Sequence, residues 1–235
     1  MAPDNEEFQI LPYDIQKHGA QVQELYDKYL VPTDLKRLGI EEHERETYSH
    51  IEDVVAVNSV FNPKFVGFSF VAVDKSGKVV AAHLNYLMDK EYCKREFVEL
   101  NRKIVEENTE KESILKYCQH RYEVCKILYD LYEKYGFERA VYLESGFSHP
   151  DVRGLGLHQR LILKVASHTN EVLLAELQIP LDVYVKNWGV HGYTLGTGIP
   201  HYDGFMVNRI LSYDLFVIPI FIRLSHKSKS ISSKL

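Results

Sequence analysis

Two glycines, two arginines and two histidines crowd into residues 149–161, HPDVRGLGLHQRL. Leu157, Leu161, Ile162 and Val165 recur at helical spacing just after the glycines, so the glycines should stand at the mouth of a helix. A strand running into RGLGL and then a helix gathers consecutive backbone N–H groups and the positive end of a helix dipole at one point, which suits a phosphate or pyrophosphate. Gly154 and Gly156 matter because a side chain there would hinder close backbone approach. Arg153 adds a mobile positive charge. The run lacks the Lys-Ser or Lys-Thr ending of a nucleotide-hydrolysing P-loop, and it falls too late and is one glycine short for a dinucleotide fingerprint. His158 stands where crowding should matter most: turned outward it leaves the loop open, and turned inward it could donate a hydrogen bond to phosphate. A plain turn with two glycines is the competing reading.

The elements that must position this loop follow from the hydrophobic pattern. Residues 8–14 (FQILPYD) read as a short strand, and Val22, Leu25, Tyr26 and Tyr29 as the face of a helix that Pro32 breaks, with a second helical stretch beyond it. Residues 65–74 (FVGFSFVAVD) and 78–86 (KVVAAHLNY) flank Lys-Ser-Gly and predict a β-hairpin. Residues 93–137 read as a charged pair of helices, with Ile114, Cys118, Cys125, Leu128 and Tyr132 on one face and Thr109 with Glu112 as a capping box. Residues 138–148 (ERAVYLESGFS) resume strand character ahead of the glycine turn. After the motif helix the pattern predicts a strand at 181–185 (LDVYV), a short helix or turn, and one or two closing strands over 205–224, where Pro219 interrupts the most apolar window.

At 235 residues with 45% hydrophobic content, the chain suits one domain with a proper core. A formal net charge of -5, with scattered Lys and Arg, gives no reason to expect a nucleic-acid partner. The acidic N-terminus lacks the apolar run of a signal peptide, and no window is long enough to span a bilayer. Cys93, Cys118 and Cys125 follow no metal spacing and read as packing residues in a reducing compartment. The last three residues, Ser233, Lys234 and Leu235, end a basic, serine-rich tail (225–235). They read as a peroxisomal address, which makes the import receptor the expected partner.

HPDVRGLG resembles the acetyl-CoA binding motif of the GCN5-related N-acetyltransferases (GNATs): Arg or Gln, two residues, Gly, any residue, then Gly or Ala. The order of elements is similar to that fold over residues 1–224. The resemblance implies an α/β (α+β) architecture with a mixed, mostly antiparallel, splayed central sheet flanked by helices, and a helical insertion at about 93–137 before the fourth strand. The wording of HPDVRGLG and the early Leu38-Gly39-Ile40 are most similar to invertebrate arylalkylamine acetyltransferase-like proteins. With Arg153 as first position, His158 departs from the expected Gly or Ala. With Asp151 as first position, Gly154 and Gly156 fill both glycine slots.

The same resemblance implies that the amides of Arg153, Gly154, Leu155, Gly156, Leu157 and His158 hold the pyrophosphate of acetyl-CoA, and that Phe147 and Ser148 offer backbone groups to the pantetheine arm. It implies direct attack of a small amine on the thioester, with no metal. NWGVHGYTLGTGI supplies Asn187 in the expected slot, with Tyr193 one residue early and Thr194 at the position of the hydroxyl that would protonate the departing thiolate. The family's glutamate base is absent from VPTDLKRLGI, where Pro32 and Asp34 stand near its slot. Glu144 on the strand before the motif and His83 in the hairpin are the substitutes. A catalytically silent acyl-CoA-binding protein and a protein-lysine acetyltransferase are the alternative functions, the second suggested by His158 alone.

Overall fold

The computed structural model describes residues 7–38, 43, 60–107, 112–169, 171–180, 201–204, 208–210 and 215–223. Strand β1 (Phe8–Pro12) leads into helix α1 (Ile15–Leu25), whose first turn is capped by the Asp14 carboxylate accepting from the N–H groups of Gln16 and Lys17. The chain does not break at Pro32. A π-helical turn, Tyr26–Leu30, carries it directly into α2 (Val31–Leu38). The π turn explains the difference: Val31 N–H already reaches back five residues to the Tyr26 carbonyl, and the Thr33 hydroxyl donates to the Tyr29 carbonyl at 2.7 Å. Around the proline, the ladder is thus closed by other groups.

The hairpin forms as expected but starts later, from β2 (Phe70–Asp74) to β3 (Val79–Asp89). Residues 65–69 instead complete a 3-10 turn at Pro63–Phe65 and a loop. Asp74 closes the hairpin turn by accepting from the Ser76 and Lys78 N–H groups and the Ser76 hydroxyl, and these bonds hold its carboxyl below the usual range. The insertion follows: a short turn at Lys90–Tyr92, a π-helical stretch at Cys93–Glu99, α3 (Leu100–Glu107) and α4 (Glu112–Tyr135). Cys118, Cys125, Leu128 and Tyr132 lie buried along α4 as the spacing required. Thr109 lies outside the described residues. All three cysteines are buried and in no disulfide, and desolvation pushes the Cys93 thiol up to about 12, so it packs as a small hydrophobe.

Strand β4 (Arg139–Ser148) then runs into a 3-10 turn at Pro150–Val152 and helix α5 (Leu157–His168). The strand after α5 is β5 (Val172–Pro180), earlier than expected, and 181–185 lies outside the described residues. The closing segment forms three strands, β6 (His201–Gly204), β7 (Asn208–Ile210) and β8 (Leu215–Arg223). Pro219 sits inside β8 and does not interrupt it. On one edge it stands opposite Glu176 of β5, and on the other it falls between the residues paired with β6 and those paired with β7.

These strands make one sheet in the order β1-β2-β3-β4-β5-β8-β6, with β7 also on β8. Every pairing is antiparallel except β4 with β5. One face is covered by α1 and the insertion, where Val22, Leu25, Phe97 and Leu128 meet Leu84, Tyr86 and Tyr142. The other is covered by α5, whose Leu157, Leu161 and Val165 meet Phe70, Val141 and Leu173.

Candidate functional site

The parallel pair β4–β5 begins at Ala140↔Val172 and stops at Leu143↔Ala175, although both strands continue for several residues beyond. Past Leu143, β4 is paired among the described residues to β3 alone. The sheet is therefore split open along residues 144–148, leaving backbone groups of a strand edge to be satisfied by something other than β5. Phe147 and Ser148, expected to serve a pantetheine arm, lie in this stretch. Phe147 is fixed from the helical side by Tyr26 of the π turn, edge-on at 5.7 Å, and the next turn residue Tyr29 packs against His149 at 5.1 Å.

Directly beyond the split, the backbone turns through Gly154 (φ 82°) and Gly156 (φ 73°) into α5. A Cβ at either position would meet nothing within 4 Å, so left-handed backbone rather than crowding selects glycine here, and a side chain would project into open space. Gly156 is the N-cap and supplies no side-chain cap, and the first helical bond comes from Arg160 N–H back to Gly156. The N–H groups of Leu157, His158 and Gln159 thus precede the helical ladder, at the positive end of the α5 dipole. Arg153 and Leu155 are exposed beside them. This arrangement fits a diphosphate.

His158 turns inward. Its ring lies 4.8 Å from that of His83 on β3, tilted by 37°, with Gly146 of β4 beneath both. The side chain is exposed to solvent on its outer side, and the protein packed against the ring on its inner side desolvates it and lowers its pKa. His83 is wholly buried, and burial followed by the charge of His158 pushes it down to about 3. Its tautomer is set by Asn85, whose amide N–H groups donate to the Phe68 and His83 carbonyls at 3.0 Å each. The Asn85 Oδ1 is therefore the acceptor of the 2.7 Å contact from His83 Nδ1.

Glu144 occupies a different place. Between Leu84↔Ser145 and Asn85↔Leu143 the β3–β4 register slips, so Glu144 is the extra residue of a β-bulge. The bulge sits where β5 departs, and Glu144 is half-buried there with the buried Tyr86 hydroxyl donating to its Oε2 at 3.4 Å. Tyr86 lies in the core face built by α1 and the insertion, whereas His83 lies with His158 beside the α5 loop. The two substitutes for the missing glutamate base are thus separated. Sequence reasoning missed Tyr86; the adjacent polar pair Glu144-Ser145, which breaks the alternation of the strand, was the one sign of the bulge. Asn187, Tyr193 and Thr194 lie outside the described residues, and nothing of the Asp34 side chain is described.

The sequence matches no protein-family model and no curated protein. Solved structures do match across nearly the whole chain. A polyamine N-acetyltransferase from Drosophila melanogaster superposes with a TM-score of 0.56 at 12% identity, over 93% of this chain and 100% of its own. An agmatine N-acetyltransferase gives 0.55 at 13%, over 92% and 99%. Arylalkylamine N-acetyltransferase 2 from Aedes aegypti gives 0.54 at 13%, over 92% and 98%. The chain has the GNAT fold. The helices that the sequence placed between the third and fourth strands do lie between β3 and β4.

Proposed function

We propose that the protein is an acetyl-CoA-dependent N-acetyltransferase that moves the acetyl group directly onto a primary amine. The observation that carries this reading is the parallel β4–β5 pair parting after Leu143 and Ala175, immediately beside an uncapped helix N-terminus reached through two left-handed glycines. A diphosphate at Arg153, Gly154, Leu155, Gly156, Leu157 and His158 would leave its acyl arm running along the opened edge past Ser148 and Phe147 toward Glu144. The loop supplies backbone N–H donors that need no reorganisation when the anion arrives.

At the far end of that edge, Glu144 would accept the proton of the incoming ammonium. The freed nitrogen lone pair would then attack the thioester carbonyl, the C–S bond would break, and the thiolate would take a proton from a hydroxyl, for which Tyr193 and Thr194 are the candidates, while the second proton shed by the nitrogen as the amide forms restores that hydroxyl. The structural neighbours are described as acting on agmatine, a polyamine and arylalkylamines, which supports a small amine as acceptor.

Calorimetric titration with CoA and acetyl-CoA, followed by a thiol-release assay over a panel holding agmatine, polyamines and arylalkylamines, tests this. Saturable binding with amine-dependent thiol release supports the reading. Absence of CoA binding would sink it, and binding without turnover would leave an acyl-CoA-binding protein. We further propose that Ser233, Lys234 and Leu235 direct the chain to the peroxisomal matrix. An N-terminally tagged chain lacking those three residues should then become cytosolic, and an unchanged distribution rejects the address.

A further inference from the structure

We infer that Tyr86 is a positioning residue for the Glu144 carboxylate, holding it at the β-bulge and setting the pH range in which it accepts a proton. The inference rests on the proposed acetyl transfer. Three observations support it independently of any motif. Tyr86 is 1% exposed, so its hydroxyl has little water to bond with and gains by facing a carboxylate. The hydroxyl donates to Glu144 Oε2 at 3.4 Å across the β3–β4 pair. Glu144 is the one residue of β4 pushed out of register there, at the point where β5 leaves, so a side chain that fixes its rotamer also fixes which way it faces into the opening.

Tyr86 is itself fixed. Its ring is held edge-on by Phe65 at 5.9 Å and Tyr92 at 6.1 Å, and tilted against Tyr142 at 5.7 Å. Burial and the charge of Glu144 push its pKa well above the usual tyrosine value, with Tyr142 and Tyr92 acting in the same direction and the Arg121 guanidinium of α4 against it. The hydroxyl consequently stays protonated throughout the working range and remains a donor. A donor to the ionised carboxylate favours that form and lowers its pKa. Removing it should raise the pKa of Glu144 and free its rotamer.

The test compares wild type with Tyr86→Phe, Glu144→Gln, the double variant and Tyr132→Phe. Tyr86→Phe keeps the packed ring and loses only the hydroxyl. Tyr132→Phe removes a similarly buried hydroxyl of the same core face, which donates to the Met88 carbonyl at 2.9 Å, and controls for a merely structural effect. The expected result for Tyr86→Phe is about a fivefold loss of kcat, the order of one ordinary hydrogen bond, and an acidic limb of kcat/KM moved upward in pH. KM for acetyl-CoA should be unchanged, and adding Tyr86→Phe to Glu144→Gln should cost nothing further. Tyr132→Phe should leave the acidic limb in place. If Glu144→Gln disables the enzyme while Tyr86→Phe leaves kcat and the acidic limb untouched, the positioning role is overturned and the transferase reading stands. Wild type without amine-dependent thiol release overturns both, whereas a fully active Glu144→Gln overturns the positioning role, because Glu144 is then not the base, and leaves the transferase reading standing.

Discussion

The rings of His83 and His158 meet 4.8 Å apart across the Cα of Gly146, joining the third strand, the fourth strand and the phosphate-loop helix at one point. A Cβ on Gly146 would stand 2.1 Å from His158 Cε1, 2.6 Å from its Nδ1 and 3.0 Å from His83 Cδ2. His83 cannot yield, being buried on all sides, but His158 has solvent on one side and can swing out. Gly146→Ala should therefore expel the His158 ring and cost about 2 kcal/mol of stability. His158→Ala in the same chain should recover most of that loss. Thermal unfolding of the two variants and of His158→Ala alone checks this, and additive losses would exclude the contact.

The same pair makes stability fall on acidification. His83 is held down to about 3 in the folded chain against an ordinary histidine value of 6.5, chiefly by burial, and His158 is lowered for the same reason. A histidine depressed in the folded state contributes stability that is fully present above pH 6.5 and is lost as pH falls, because the unfolded chain takes up the proton first. Between pH 6.5 and about 3 the loss from His83 approaches about 1.4 kcal/mol per pH unit. Denaturant midpoints measured from pH 7.5 to 5 should fall accordingly, and His83→Gln should flatten the slope. A slope equal to wild type in that variant would rule the assignment out.

Much of this arrangement was legible beforehand, and the exceptions share a cause. The glycines announced the loop because left-handed backbone leaves a mark on residue type, and the buried face of α4 announced itself by spacing. Val172–Pro180 (VLLAELQIP) was not read as a strand, because Leu, Ala, Glu and Gln carry no β preference; β4 and β8 on either side impose the extended form. Pro32 suggested a break because the π turn that accommodates it depends on a side-chain bond from Thr33. The bulge at Glu144 and the partnership with Tyr86 depend on cross-strand register, which no single-strand pattern contains.

Asn85 is the hinge of the buried polar network beneath the bulge. It donates to two carbonyls and accepts from His83, and its backbone N–H and carbonyl both bond the Ser69 hydroxyl, at 2.8 and 3.0 Å. Asn85→Leu keeps the volume but strands the His83 Nδ1 donor and the Phe68 and His83 carbonyls in a dry interior. A loss of about 3 kcal/mol or more is expected, together with lower activity through the displaced bulge. Urea unfolding reads the first and thiol release the second; a stability within 1 kcal/mol of wild type would show that water reaches the network.

The phosphate loop gives the sharpest separation of binding from folding. Gly154 and Gly156 have open space where a Cβ would stand, so a substitution there crowds no core atom and costs only the left-handed backbone, about 1 kcal/mol or more per site. An incoming diphosphate must approach the N–H groups of Leu157, His158 and Gln159 through that same open space. Gly154→Val with Gly156→Val should therefore leave the chain folded by circular dichroism while CoA affinity falls at least a hundredfold. Gly156→Ala alone should give an intermediate loss, since it strains the N-cap without filling the mouth. Unchanged CoA affinity in the double variant would remove the loop from the binding site.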